Sequence, residues 1–67
     1  MNVPDQKFRV EYEFPRSEYG DNGTDYDHTV VFANSADAAR IKGRRVASQI
    51  KGCSEDKIKI LGAKEVR

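Results

Sequence analysis

The chain holds no tryptophan, one cysteine, one methionine, one histidine and two prolines among 67 residues, and each shortage removes a class of protein. A single thiol, Cys53, cannot close an internal disulfide, so the usual stabiliser of small secreted domains is missing and a cytoplasmic setting is expected. No apolar run approaches the roughly 18 residues of a membrane span. Residues 1–7 have neither the apolar stretch nor the small-residue cleavage pattern of a signal peptide. Asn22-Gly23-Thr24 matches a glycosylation acceptor, but only a secreted chain would use it, and a turn fits it better. With one histidine, and one cysteine in no evident relation to it, there is no paired metal-ligand set and no nucleophile with its base. Glycine-rich phosphate loops and serine nucleophile motifs are absent. A chain of this length buries only roughly 60% of its unfolded surface and leaves little room for a water-excluding pocket. The expectation is a protein that is not an enzyme, with no cofactor and no metal.

What is present is an ordered set of elements. Over 7–14 the residues Phe8, Val10, Tyr12 and Phe14 alternate with Arg9, Glu11 and Glu13, the period of a strand with one buried face. Pro15 ends it. Residues 15–25, with Ser17, Gly20, Asp21, Asn22, Gly23 and Thr24, form a long exposed acidic loop, and residues 1–6 a flexible N-terminus. A second strand over 26–32 alternates again, with Tyr26, His28, Val30 and Phe32 expected on the inner side and Asp27, Thr29 and Val31 on the other. Asn34-Ser35 offers an N-cap and Asp37 suits the positive end of a helix dipole. A helix is therefore predicted from Ala36 to Lys51, stopped by Gly52. Ala39, Gly43, Val46, Ala47 and Ile50 share one arc of it. Gly43 in mid-helix costs roughly 1 kcal/mol against alanine, which close approach of helix to sheet would explain. After a turn at 53–56, residues 57–61 alternate as a third strand, bulged at Gly62 and resuming toward Val66.

These elements predict an α+β fold: a single small domain over 1–67, strand-strand-helix-strand, with one helix on one face of a three-stranded antiparallel or mixed sheet. Right-handed crossover and short connections place the third strand beside the first, in the order 2-1-3. Glu11 and Glu13 would then face Lys57 and Lys59 across the ladder.

The near-neutral total of +1 hides a division. Residues 1–37 hold three basic and eight acidic side chains, and residues 38–67 hold nine basic and three acidic, net −5 and +6. Opposite the predicted core arc, Arg40, Arg44 and Lys51 cluster with Ser48 and Ile41, and Arg45 lies at the edge. An isoleucine among arginines is the pattern of an apolar anchor in a charged surround; the plainer reading is a solvated face with one tolerated apolar residue. Four or five phosphate contacts from this face would give binding that falls steeply with salt. Against that, all the ring-bearing positions on the strands are expected beneath the helix, leaving no stacking platform. Glu18, Tyr19, Asp21 and Asp25 make a second surface, with carboxylates and tyrosine able to engage a basic groove, or simply a solvated loop. The spacing of a calcium loop fails for want of the distal glutamate. His28, on the expected inner face, is better explained as a packed residue than as a base.

The run Phe8-Arg9-Val10, a second strand ending at Phe32-Ala33, a helix opening near Ala38 and the last strand Ile58-Lys59-Ile60 together resemble the pattern of archaeal ribosomal protein LX over most of the chain, with the acidic stretch 18–27 as the departure. In size, composition and split charge the chain also resembles small phage-encoded inhibitors of host machinery, anti-CRISPR proteins among them. That resemblance implies a protein that occupies a nucleic-acid or protein site on a large complex. The expected function is a non-enzymatic binding module or inhibitor that contacts a protein or nucleoprotein partner, with no membrane, through the basic helix face and the acidic loop. The alternatives are an RNA- or DNA-binding protein using the same basic residues on phosphates, and a weak dimer through the edge of the second strand, whose outward Val31 and Thr29 leave it poorly protected.

Overall fold

Three strands and one long helix follow in the predicted order in the computed structural model, which describes residues 4–15 and 23–66. They are β1 (Gln6–Pro15), β2 (Thr24–Ala33), α1 (Ala36–Lys51) and β3 (Lys59–Glu65), with a short 3-10 turn at Glu55–Lys57 before the last strand. The sheet order is β2-β1-β3 and both pairings are antiparallel. The expected three-stranded α+β architecture is therefore the observed one. Pro15 closes β1, and β2 opens at Thr24, two residues ahead of the predicted start. Residues 16–22 of the expected acidic loop, and the first three positions of the expected N-terminal segment, lie outside the described residues.

The helix forms where its end signals predict. Ser35 is extended and its hydroxyl accepts from the Ala38 N–H at 3.1 Å, satisfying one of the first-turn donors that have no partner within the helix. Asp37 lies in the first turn and Lys51 in the last, each at the end of the dipole that favours its sign. At the far end Gly52 turns left-handed (φ 68°), and its N–H and that of Cys53 both donate to the Ser48 carbonyl.

Packing is thin and close. Phe8, Val10 and Tyr12 of β1 are buried under Ala39, Gly43 and Ala47 of α1, with Val31, Ala33 and Ile58 beside them. A Cβ on Gly43 would lie 2.6 Å from a Val10 methyl and 2.9 Å from its Cβ, so a hydrogen is all this position admits. The close approach inferred from a mid-helix glycine is thus present.

That closeness overturns the expected inner face of β2. Phe8 pairs with Val31 and Val10 with Thr29, which turns Val31, Thr29 and Ala33 toward the helix and sends Tyr26, His28, Val30 and Phe32 to the opposite, uncovered face. A helix pressed onto β1 through Ala39, Gly43 and Ala47 leaves room for large rings only on the central strand. Its neighbour supplies small side chains, and Phe32 and Tyr26 stay 58% and 68% exposed. His28 is likewise an exposed residue, not a packed one. Ile50, expected in the core arc, is 61% exposed at the last helical turn, beyond the part of α1 that meets the core.

At the other edge, Glu13 pairs with Lys59 and the two side chains approach to 3.7 Å, as expected. Glu11 instead faces Gly62, because Lys57 belongs to the 3-10 turn and precedes the strand. The irregularity expected at Gly62 falls on its neighbour: the register steps between Glu11 and Tyr12, opposite Gly62 and Ile60, leaving Leu61 as the additional residue.

Candidate interaction surface

Of the helix residues expected at the partner face, Arg40, Ile41 and Arg44 are brought together. They line one open hollow of about 260 Å³ with Ile60 of β3, on the flank where α1 meets that strand. The spacing explains it: positions one turn apart stack along a helix face, and Ile60 follows Ile58 by two, on the helix side of β3. Ile41 is 63% exposed. Among the described residues no carboxylate lies within ion-pair reach of either arginine. The hollow thus combines an apolar floor, from Ile41 and Ile60, with guanidinium charge that no carboxylate among the described residues offsets.

The other helix residues serve elsewhere. Arg45 is exposed but outside the hollow. Ser48 is half-buried and its hydroxyl donates to the Cys53 carbonyl, fastening the turn after the helix. Lys51 is half-buried: its Nζ donates to Asp27 Oδ2 at 2.8 Å and lies 4.6 Å from the centre of the Phe14 ring, a cation over a π face. That hydrogen bond holds the Asp27 carboxyl below its ordinary range, helped by the His28 N–H that donates to Oδ1 at 2.7 Å, and it raises Lys51 in turn. Tyr12, buried beneath, has its phenol pushed up first by burial and second by the nearby Asp27 charge. Lys51 therefore ties the end of α1 to β2. The sequence alternation places Asp27 on the outer side of the second strand; its register opposite the buried Tyr12 turns it instead to the helix side, where Lys51 meets it.

Of the expected second surface, Glu18, Tyr19 and Asp21 lie outside the described residues, and Asp25 is half-buried on β2 opposite Phe14. The uncovered sheet face carries what sequence reasoning placed underneath: Phe32 and Val30 beside Lys7 and Arg9, and His28 and Tyr26 beside Glu11 and Glu13. A second open hollow of about 240 Å³ lies among Arg9, Glu11, Tyr26, Asp27 and His28.

Among the described residues no group of three or more His, Cys, Asp and Glu is placed to hold a metal ion, and no helix is long and apolar enough to cross a membrane. No family model, no curated protein and no solved structure matches the chain.

Proposed function

We propose that the protein is a non-enzymatic binding module or inhibitor that holds an acidic, partly apolar segment of a protein or nucleoprotein partner against α1. One observation carries this reading: Ile41 stands exposed between Arg40 and Arg44 in a hollow where no carboxylate among the described residues offsets the arginines. Guanidinium groups present a planar fork to a carboxylate or phosphate, and rim charge steers encounter while a buried apolar anchor slows departure. The test is affinity capture from a host lysate, with and without nuclease, comparing the parent with Ile41→Asp and Ile50→Asp. The two isoleucines are equally exposed on the same helix, but only Ile41 lines the hollow. Loss of partner with Ile41→Asp alone supports the reading; equal capture by all three refutes it.

A second reading is favoured by the open sheet face. Phe32 and Tyr26 are free to stack on bases and Lys7 and Arg9 lie beside Phe32 and Val30, which removes the objection that no aromatic platform exists. Glu11 and Glu13 on the same face oppose a polyanion. In this reading a single-stranded oligonucleotide binds with affinity that falls steeply with salt, and Phe32→Ala weakens it. Absence of binding at low salt eliminates the idea.

A further inference from the structure

We propose that β2 pairs edge to edge with β2 of a second copy of this chain, antiparallel, with Val30 opposite the second copy's Val30. The direction of the backbone at this edge follows from the opposite side of the sheet. The Lys7 carbonyl accepts from the Val66 N–H at 2.8 Å, so Lys7 spends its backbone on the β3 side. Phe32, paired with Lys7, must then point its own N–H and C=O away from β1, and the alternation of antiparallel ladders gives the same orientation to Val30 and His28. Among the described residues no strand follows beyond them, since β2 is the outer strand of the order β2-β1-β3.

Two of these edge groups are already satisfied from within the chain. The Phe32 carbonyl accepts from Lys42 Nζ, and the His28 N–H donates to Asp27. Among the described residues, what stays open at Phe32, Val30 and His28 is the Phe32 N–H, both groups of Val30, and the His28 C=O. This set is complementary to itself. With a two-fold axis at Val30, the two valines exchange both bonds, and the open Phe32 N–H of each copy meets the open His28 C=O of the other, so that no ladder bond is asked of a capped group. The caps also match: Lys42, held at the Phe32 carbonyl, arrives beside the second copy's Asp27, held at its His28 amide, so a cation meets a carboxylate on each side of the axis. On the uncovered face the exposed Val30 and Phe32 side chains come together across the seam, Phe32 beside the second copy's His28. An edge shifted by two residues would oppose capped groups to open ones and lose the charge match. The surface is distinct from the hollow at Arg40, Ile41 and Arg44, and does not depend on it.

Sedimentation equilibrium from micromolar to millimolar protein tests this. The parent should move from the mass of one chain to that of two, and Val30→Pro should stay at one. Proline is tolerated there because the Val30 N–H, pointing away from β1, has no acceptor among the described residues. A synthetic chain methylated at the Val30 amide removes the same donor without altering the side chain, and should also remain monomeric. Register is read by oxidation in a Cys53→Ser background. Val30→Cys should give a disulfide-linked dimer, since directly opposite residues lie within the span a disulfide bridges. Phe32→Cys and His28→Cys should each remain single alone and link only when mixed. A parent that is monomeric throughout, a dimer that survives both Val30 variants, or a dimer abolished by Ile41→Asp while tolerating Val30→Pro would overturn the proposal.

Discussion

Replacing Gly43 by alanine tests the packing of the whole domain at one atom. In an exposed helix interior the change stabilises by about 1 kcal/mol, because glycine has more backbone freedom to lose. Here the new methyl would fall 2.6 Å from one Val10 methyl, 3.0 Å from the other and 2.9 Å from Val10 Cβ, and the last atom is anchored directly to the central strand. Overpacking of this kind costs about 1–3 kcal/mol, and a clash with a group that cannot swing aside belongs in the upper half of that range. The net expectation is destabilisation by about 1–2 kcal/mol, a fall in Tm of roughly 5–15 °C for a domain of this size. Urea and thermal unfolding of Gly43→Ala, Val10→Ala and the double variant measure it. In the Val10→Ala background the penalty should shrink by about 1 kcal/mol or more, since the valine methyls are gone while Cβ remains. A Gly43→Ala protein as stable as its parent, with no coupling to Val10, would refute the close contact between helix and sheet.

Three further outcomes follow from the same contacts. Ser35→Ala should lose about 1 kcal/mol in urea unfolding through the vacated Ala38 N–H, and Gly52→Ala about 1–2 kcal/mol because its φ of 68° is left-handed. For the tie between Lys51 and Asp27, the lowered carboxyl contributes stability above its ordinary 3.8 that is lost as pH falls through the lower folded value. The raised ammonium contributes stability below its ordinary 10.5 that is lost as pH rises through the higher folded value. Asp27→Asn should therefore flatten both the acid and the alkaline limb of a Tm against pH curve, and unchanged limbs would show that the pair does not persist in solution. Ile41→Asp should leave stability within about 0.5 kcal/mol of the parent, as an exposed position does, so that any loss of partner binding is not a loss of fold.

Much of the architecture was legible because local and global signals agree. The alternation around Phe8, Val10 and Tyr12, the Ser35 cap, the Gly52 stop and the mid-helix glycine each fix one feature, and the connection rules leave one strand order. The face of β2 was not legible. Its residues offer two alternating sets, Tyr26, His28, Val30 and Phe32 or Thr29, Val31 and Ala33, and hydrophobicity alone prefers the first. The choice is made by volume under a helix held close by Gly43, a tertiary quantity that the small side chains of Ala39 and Ala47 imply only once the helix is docked. Within the candidate site, Arg40, Ile41 and Arg44 were legible from helical spacing. The removal of Lys51 to Asp27 was not, because it depends on which way Asp27 faces.

The account rests on a sheet with one covered and one open face, and solvent paramagnetic relaxation in side-chain NMR reads that directly. A soluble paramagnetic probe should broaden the Tyr26 and Phe32 rings and the Val30 and Ile41 methyls strongly, while the Phe8 and Tyr12 rings and the Val31 and Ile58 methyls stay sharp. Strong broadening of Phe8 or Tyr12, or protection of Phe32 and Val30 in the monomer, would contradict it.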